Sequence, residues 1–187
     1  MAAKMNTLLA PRLRGFAQVR CCIAAVQSVM ALETGDRVEI SEMHMDRTIT
    51  LSGGVSTMIA LAGDVGGMAL LDLPNETAVG FASHVSGRRF TEPDDLVRSA
   101  LAELANVAMG QAVTRMSDEG WEVTISPPTL LTHGAGEMWF PSLPGPVVRV
   151  KLDTVCGEAH LQVALGVNAW EPSTTTALRD QPVPVAS

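Results

Sequence analysis

Two parts of this chain repeat their apolar residues every three or four positions, and each is followed by shorter runs of strand-forming residues. That order constrains the fold more than any other feature. The first periodic stretch covers residues 15–33, with Phe16, Val19, Ile23, Val26 and Met30 in step and Gly35 as its stop. Strand-type runs follow at 37–51, 55–62 and 68–73, with Gly63-Asp-Val-Gly-Gly67 punctuating a hairpin between the last two. A second half then begins. Asn75 caps a short helix over 75–86 that Gly87-Arg-Arg89 breaks, and Thr91-Glu-Pro-Asp94, with Thr91 as the N-cap, opens a longer one running to Met116, stopped by Gly120. A strand is expected over 121–125, a rigid break at Ser126-Pro-Pro128, and a hairpin of 147–153 with 158–167 turning at Cys156-Gly157.

The halves, 15–73 and 75–167, form a faint two-fold internal repeat. Helix followed by strands, twice, predicts an α/β protein of the α+β type: helices on one face of a largely antiparallel sheet, rather than a doubly wound parallel sheet. With 187 residues there is room for one domain, expected over 15–167. Residues 1–14 read as a basic leader, ordered or disordered, and 168–187 as a flexible tail rich in Thr, Pro and Ser.

Charge and composition exclude several functions. The first 32 residues hold Lys4, Arg12, Arg14 and Arg20 and no acid, so all 20 acids lie in the body and the net charge is −7. A nucleic-acid binder needs a basic surface, and aromatics at 4% with no Tyr leave few platforms for base stacking. The core must therefore be built from aliphatics and the 10 Met. Arg20 cuts the apolar stretch before Cys21 and leaves an h-region too short for secretion, and no run reaches the ~18 consecutive apolar residues of a membrane span. Three cysteines with no C-x-x-C pair form no disulfide framework, which suits the reducing cytoplasm. They read as small buried hydrophobes.

Other residues invite chemical readings that the sequence does not sustain. The glycines of 63–67 have no following Lys-Ser/Thr and open no helix, so they are a turn rather than a phosphate loop. His44 in Met43-His-Met45, and Cys156 with His160, lack the three or four converging ligands of a metal site. His84 and His133 have no adjacent Ser or Cys in a nucleophile context, and G-x-S-x-G and H-E-x-x-H are both absent. Arg88-Arg89 is a solvated turn pair.

The long helix carries the sharper signal. Projected at about 100° per residue from Leu96, the residues Leu96, Val97, Ala100, Leu101, Leu104, Val107 and Ala108 span an arc of about 140°, the expected core face. Ser99, Glu103, Asn106 and Gly110 gather between about 280° and 340°, a narrow strip along one edge. Asn is a mediocre helix former and an internal Gly costs about 1 kcal/mol relative to Ala, so the strip gives up stability that ordinary solvent-facing residues would keep.

Ser99-x-x-x-Glu103-x-x-Asn106, continued to Gly110, resembles the signature helix of the CheC/CheX/FliY chemotaxis phosphatases, and Ser126-Pro-Pro-Thr129 followed by Gly134 is similar to a segment downstream of that helix in CheX-type members. The likeness covers about residues 15–167. The first helix has no Glu from Phe16 to Met30, so the signature occurs once, as in the CheX type rather than twice as in CheC. The resemblance implies a phosphatase for the aspartyl phosphate of a CheY-like response regulator, with Glu103 and Asn106 as catalytic residues and Ser99 and Gly110 as partner-binding ones. It implies no cofactor of the protein's own, Mg²⁺ in the receiver partner, a homodimer joined sheet edge to sheet edge, and neither nucleic acid nor membrane as partner. Ser99 stands where many relatives have Asp. A CheX-like adaptor that binds a receiver or dimerises without catalysis is the alternative.

Overall fold

The computed structural model describes residues 2–140 and 143–167, with side chains described over 15–140 and 143–166. Its central sheet has seven strands: β1 (Glu39–Asp46), β3 (Gly54–Gly63), β4 (Val65–Pro74), β5 (Val123–Ile125), β6 (Thr129–Thr132), β8 (Val147–Thr154) and β9 (Gly157–Val167). The spatial order is β1-β8-β9-β4-β3-β5, with β6 also on β3, and every pairing is antiparallel. Three helices, α1 (Ala2–Thr34), α2 (Asn75–Ser86) and α3 (Asp95–Asp118), share one face. On the other lies a two-stranded flap of β2 (Ile49–Ser52) and β7 (Ala135–Met138).

The expected architecture is present, and the internal repeat takes a definite form. Hairpins β3–β4 and β8–β9 join back to back through the β4–β9 ladder. The halves interlock: among the strands, α1 packs chiefly over β9 of the second half, while α3 lies over β3 of the first as well as β5 of its own. Central strands bury both faces, as β4 does by sending Ala69, Leu71 and Leu73 to the helices and Met68 and Leu70 to the flap. Gly67 (φ +143°) has its place here, since a Cβ would lie 2.0 Å from the Ala164 carbonyl oxygen of β9.

Several boundaries differ from the sequence reading. The backbone of α1 is helical from Ala2, so residues 2–14 continue the first helix instead of forming a separate leader, while the tail over 168–187 lies outside the described residues. Within α1, the stretch Gly15–Thr34 is long and apolar enough to cross a membrane, yet half of it is buried in the fold; Cys22, Ala25, Val26, Val29 and Met30 pack into the helix-side core. The expected run 37–51 divides into β1 and β2, and β6 and β7 appear where no strand was predicted. α2 follows Pro74 with no side-chain cap, and α3 is capped by Asp94 rather than Thr91. The carboxylate of Asp94 accepts from the amides of Leu96 (3.0 Å) and Val97 (2.9 Å), which satisfies two of the free donors of the first turn.

Candidate functional site

α3 spends one side on the core: Val97, Leu101, Leu104, Ala108, Ala112 and Met116 are buried. These residues centre the buried arc near 140°, rotated from the expected one. Leu96 and Val107, predicted for the core, are exposed instead. The same rotation moves the strip from the helix edge to the middle of its outward face. Ser99 and Glu103 are exposed, and Asn106 and Gly110 are half-buried.

The strip's polar groups are unspent. Among the described residues, no hydrogen bond or ion pair engages the side chains of Ser99, Glu103 or Asn106. Glu103 and Asn106 stand three residues apart, so their Cβ atoms are about 5–6 Å from one another on neighbouring turns. A Cβ at Gly110 would meet nothing within 4 Å, and Gly110 is not among the glycines with positive φ. Nothing among the described residues requires a glycine there. The result is an outward carboxylate and carboxamide, one turn apart, on a rigid helix with a bare patch one turn further along.

Ser126-Pro-Pro128 serves the sheet rather than the strip. Between β5 and β6, which both pair with β3, the prolines cannot donate to the ladder. Ser126 fills the gap: its amide donates to the Ala60 carbonyl (2.9 Å) and its Oγ accepts from the Ala60 amide (3.0 Å).

Elsewhere the tertiary structure gathers groups that the sequence did not connect. Buried Ser56 donates its hydroxyl to Asp72 Oδ1 (2.7 Å), His133 Nε2 lies 2.7 Å from the same hydroxyl, and Asp72 Oδ2 accepts the Ser52 amide (2.8 Å). Ser, His and Asp meet here without forming a nucleophilic triad, because a triad imidazole bridges the other two through its two nitrogens, whereas His133 Nε2 faces both the Ser56 hydroxyl and Asp72 Oδ1 (3.4 Å) and Nδ1 lies 3.1 Å from the Gly134 carbonyl. The cluster is a clamp. With Gln162, whose amide exchanges two hydrogen bonds with the Thr50 backbone (2.8 and 2.6 Å), it fastens the flap to the sheet through side chains.

The remaining histidines and cysteines hold other places. His44 lies on exposed β1 beside Glu42 (3.1 Å), and His84 bonds the Thr34 carbonyl at the end of α1 (2.7 Å). His160 is buried with Nδ1 unpartnered; burial, then Arg149, pushes its pKa down. All three cysteines are free thiols, and burial pushes Cys22 up to about 12, keeping it protonated as a small hydrophobe. Among the described residues no group of three His, Cys, Asp or Glu side chains converges as metal ligands.

Comparison with known proteins places the strip in a family. The sequence model of the family described as "Chemotaxis phosphatase CheX" matches residues 55–148, half of the chain, from β3 through all of α3 to the start of β8. The chain belongs to the CheX family. A Thermotoga maritima protein named CheY-P phosphatase CheX is 26% identical over 110 residues, 57% of this chain and 67% of that one. Solved structures agree on the fold. The chemotaxis protein CheX of Vibrio vulnificus superposes with a TM-score of 0.72 at 15% identity, over 80% of this chain and 99% of that one. CheX of Borrelia burgdorferi, solved as a CheX–CheY–BeF₃–Mg²⁺ complex, gives a TM-score of 0.67 at 22% identity, over 79% and 96%. The CheX-family segment contains all four residues of the strip.

Proposed function

We propose that this CheX-family protein hydrolyses the aspartyl phosphate of a CheY-like response regulator by laying the outward face of α3 over the receiver's phosphorylation site. The observation that carries this reading is the unpartnered Glu103 carboxylate and Asn106 carboxamide, one turn apart at the centre of that face. Polar groups that a fold does not use for itself remain available to a partner.

Phosphoryl transfer to water through a loose transition state requires positioning and charge stabilisation more than covalent chemistry. Mg²⁺ held by the receiver would neutralise charge on the phosphoryl oxygens. Asn106 supplies a carboxamide whose oxygen accepts from water while its NH₂ donates, which fixes a water in line with the scissile bond. The water oxygen bonds to phosphorus as the aspartyl oxygen leaves, and inorganic phosphate is released. Glu103 pairs with the receiver's active-site lysine and sets the register of the helix; it is a docking group rather than a general base. Ser99 contacts the rim, and Gly110 lets the receiver's loops approach.

The working unit is a cytoplasmic homodimer. β1 is an edge strand exposed along its whole length and, among the described residues, bonded only to β8. Its Ile40, Met43 and Met45 lie opposite Leu152, Val150 and Val148 of the buried core, so an apolar stripe continues outward with no other described residue over it. A second copy pairing along this edge extends the sheet and covers the stripe.

The test is the decay of a phosphorylated receiver with and without this protein. Wild type is expected to accelerate phosphate loss and Asn106→Ala to abolish the acceleration while melting normally. An Asn106→Ala protein as active as wild type refutes the assignment. Binding without acceleration by wild type selects the adaptor.

A further inference from the structure

We propose that Leu96 and Val107 are receiver-docking residues, two aliphatic anchors that bracket Glu103 and decide which receiver surface α3 accepts. The inference rests on the receiver reading above and supplies the apolar part of the surface.

Helical periodicity assigns both residues to the core, but the core does not take them. With Leu96 at zero, the buried residues of α3 fall between about 80° and 220°, whereas Leu96 and Val107 stand at about 0° and 20°. They remain 53% and 38% exposed. Their direction adjoins that of Glu103, at about 340°, and Ala100, half-buried at about 40°, continues the apolar border. At 1.5 Å per residue, Leu96 lies about 10 Å before Glu103 along the axis and Val107 about 6 Å after it.

A single exposed aliphatic needs no explanation. Here two share one direction, three turns apart, with an unpartnered carboxylate between them. An ion pair in open solvent contributes little, because water screens it and both side chains must be ordered. Apolar contacts that exclude water around the pair lower the local dielectric and strengthen it, as in interfaces where neighbouring contacts seal a central polar group. Leu96 and Val107 are placed to form that seal against an apolar patch beside the receiver lysine. They touch neither phosphate nor attacking water, so they govern affinity and partner choice, not the chemical step.

The test uses the full chain and receivers from the same genome, activated with beryllofluoride and Mg²⁺, measuring Kd by calorimetry and KM and kcat by phosphate release. Leu96→Ala and Val107→Ala are each expected to weaken binding about tenfold and raise KM in parallel, with kcat within about twofold of wild type. Val107→Ile should restore affinity. Val155→Ala, at an equally exposed aliphatic in the β8–β9 turn, should change nothing, and all variants should melt with wild type. Unchanged Kd in both alanine variants overturns the proposal, as does a fall in kcat at constant KM. If wild type binds a receiver without dephosphorylating it, the hydrolytic reading fails while Kd still judges the anchors. If wild type binds none, both fail.

Discussion

Replacing Gly110 should move stability and receiver affinity in opposite directions. The residue lies in the interior of α3, with helical neighbours on both sides, and a Cβ added to it would meet no atom within 4 Å beyond its own helix and chain neighbours. Gly110→Ala therefore creates no clash. It recovers the helix propensity that glycine forfeits, about 1 kcal/mol, which for a chain of this size raises Tm by roughly 2–4 °C. Gly110→Leu keeps most of that gain and plants a large side chain on the outward strip, where a docking backbone would have to come close. Urea unfolding should show both variants more stable than wild type. Titration with a beryllofluoride-activated receiver should show a small loss of affinity for the alanine variant and a loss of more than about tenfold for the leucine one. A Gly110→Leu protein that binds as tightly as wild type would refute the claim that the glycine admits a partner. Gly67→Ala is the control for a glycine the fold itself needs, because its Cβ would collide with the Ala164 carbonyl.

Asp72→Ala should cost about 3–5 kcal/mol in denaturant unfolding, since it strands the Ser52 amide and takes the buried carboxylate away from both the Ser56 hydroxyl and His133; a loss under about 1 kcal/mol would show that the clamp does not hold the flap. His160 has its pKa lowered below the usual 6.5 by burial and then by Arg149, against opposing pulls from Asp72 and Glu158. The folded state therefore holds the neutral ring: the contribution is complete above about pH 6.5 and is lost as pH falls through the folded pKa, with a slope of at most about 1.4 kcal/mol per pH unit. His160→Gln should flatten that part of the stability profile, and an unchanged profile would acquit His160. Sedimentation should find wild type dimeric and the Met43→Lys, Met45→Lys double variant monomeric, folded by far-UV circular dichroism and melting somewhat lower because the dimer no longer stabilises it; a monomeric wild type would dismiss the β1 interface.

Where the sequence reading succeeded, the physical signal was local. A hairpin needs only two alternating runs and a turn, which is why 147–153 with 158–167 returned as β8 and β9. The limits of α3 followed from periodicity between an acidic, proline-containing start and Gly120, although the cap proved to be Asp94 because its carboxylate reaches two first-turn amides. Strands β6 and β7 left no comparable signal. They are four residues each, almost wholly exposed, and pair with β3 and β2, partners far away in sequence. The Ser56–Asp72–His133 clamp was illegible for the same reason, its members lying on different strands and a loop.

For the site, residue order alone determined that Ser99, Glu103, Asn106 and Gly110 share one stripe, because 3.6 residues per turn fixes which side chains stack. It did not determine which way that stripe faces. Periodicity gives directions relative to the helix itself, and a helix with apolar residues on more than half its circumference can be docked in more than one rotation. The interlocked halves chose one, seating Val97, Leu101 and Met116 in the helix-side core and turning Leu96 and Val107 outward. The sequence thus determined the four-residue pattern and the order of helices and strands. Tertiary packing decided that Glu103 and Asn106 stand at the centre of an open face, flanked by aliphatics that no other described part of the chain covers.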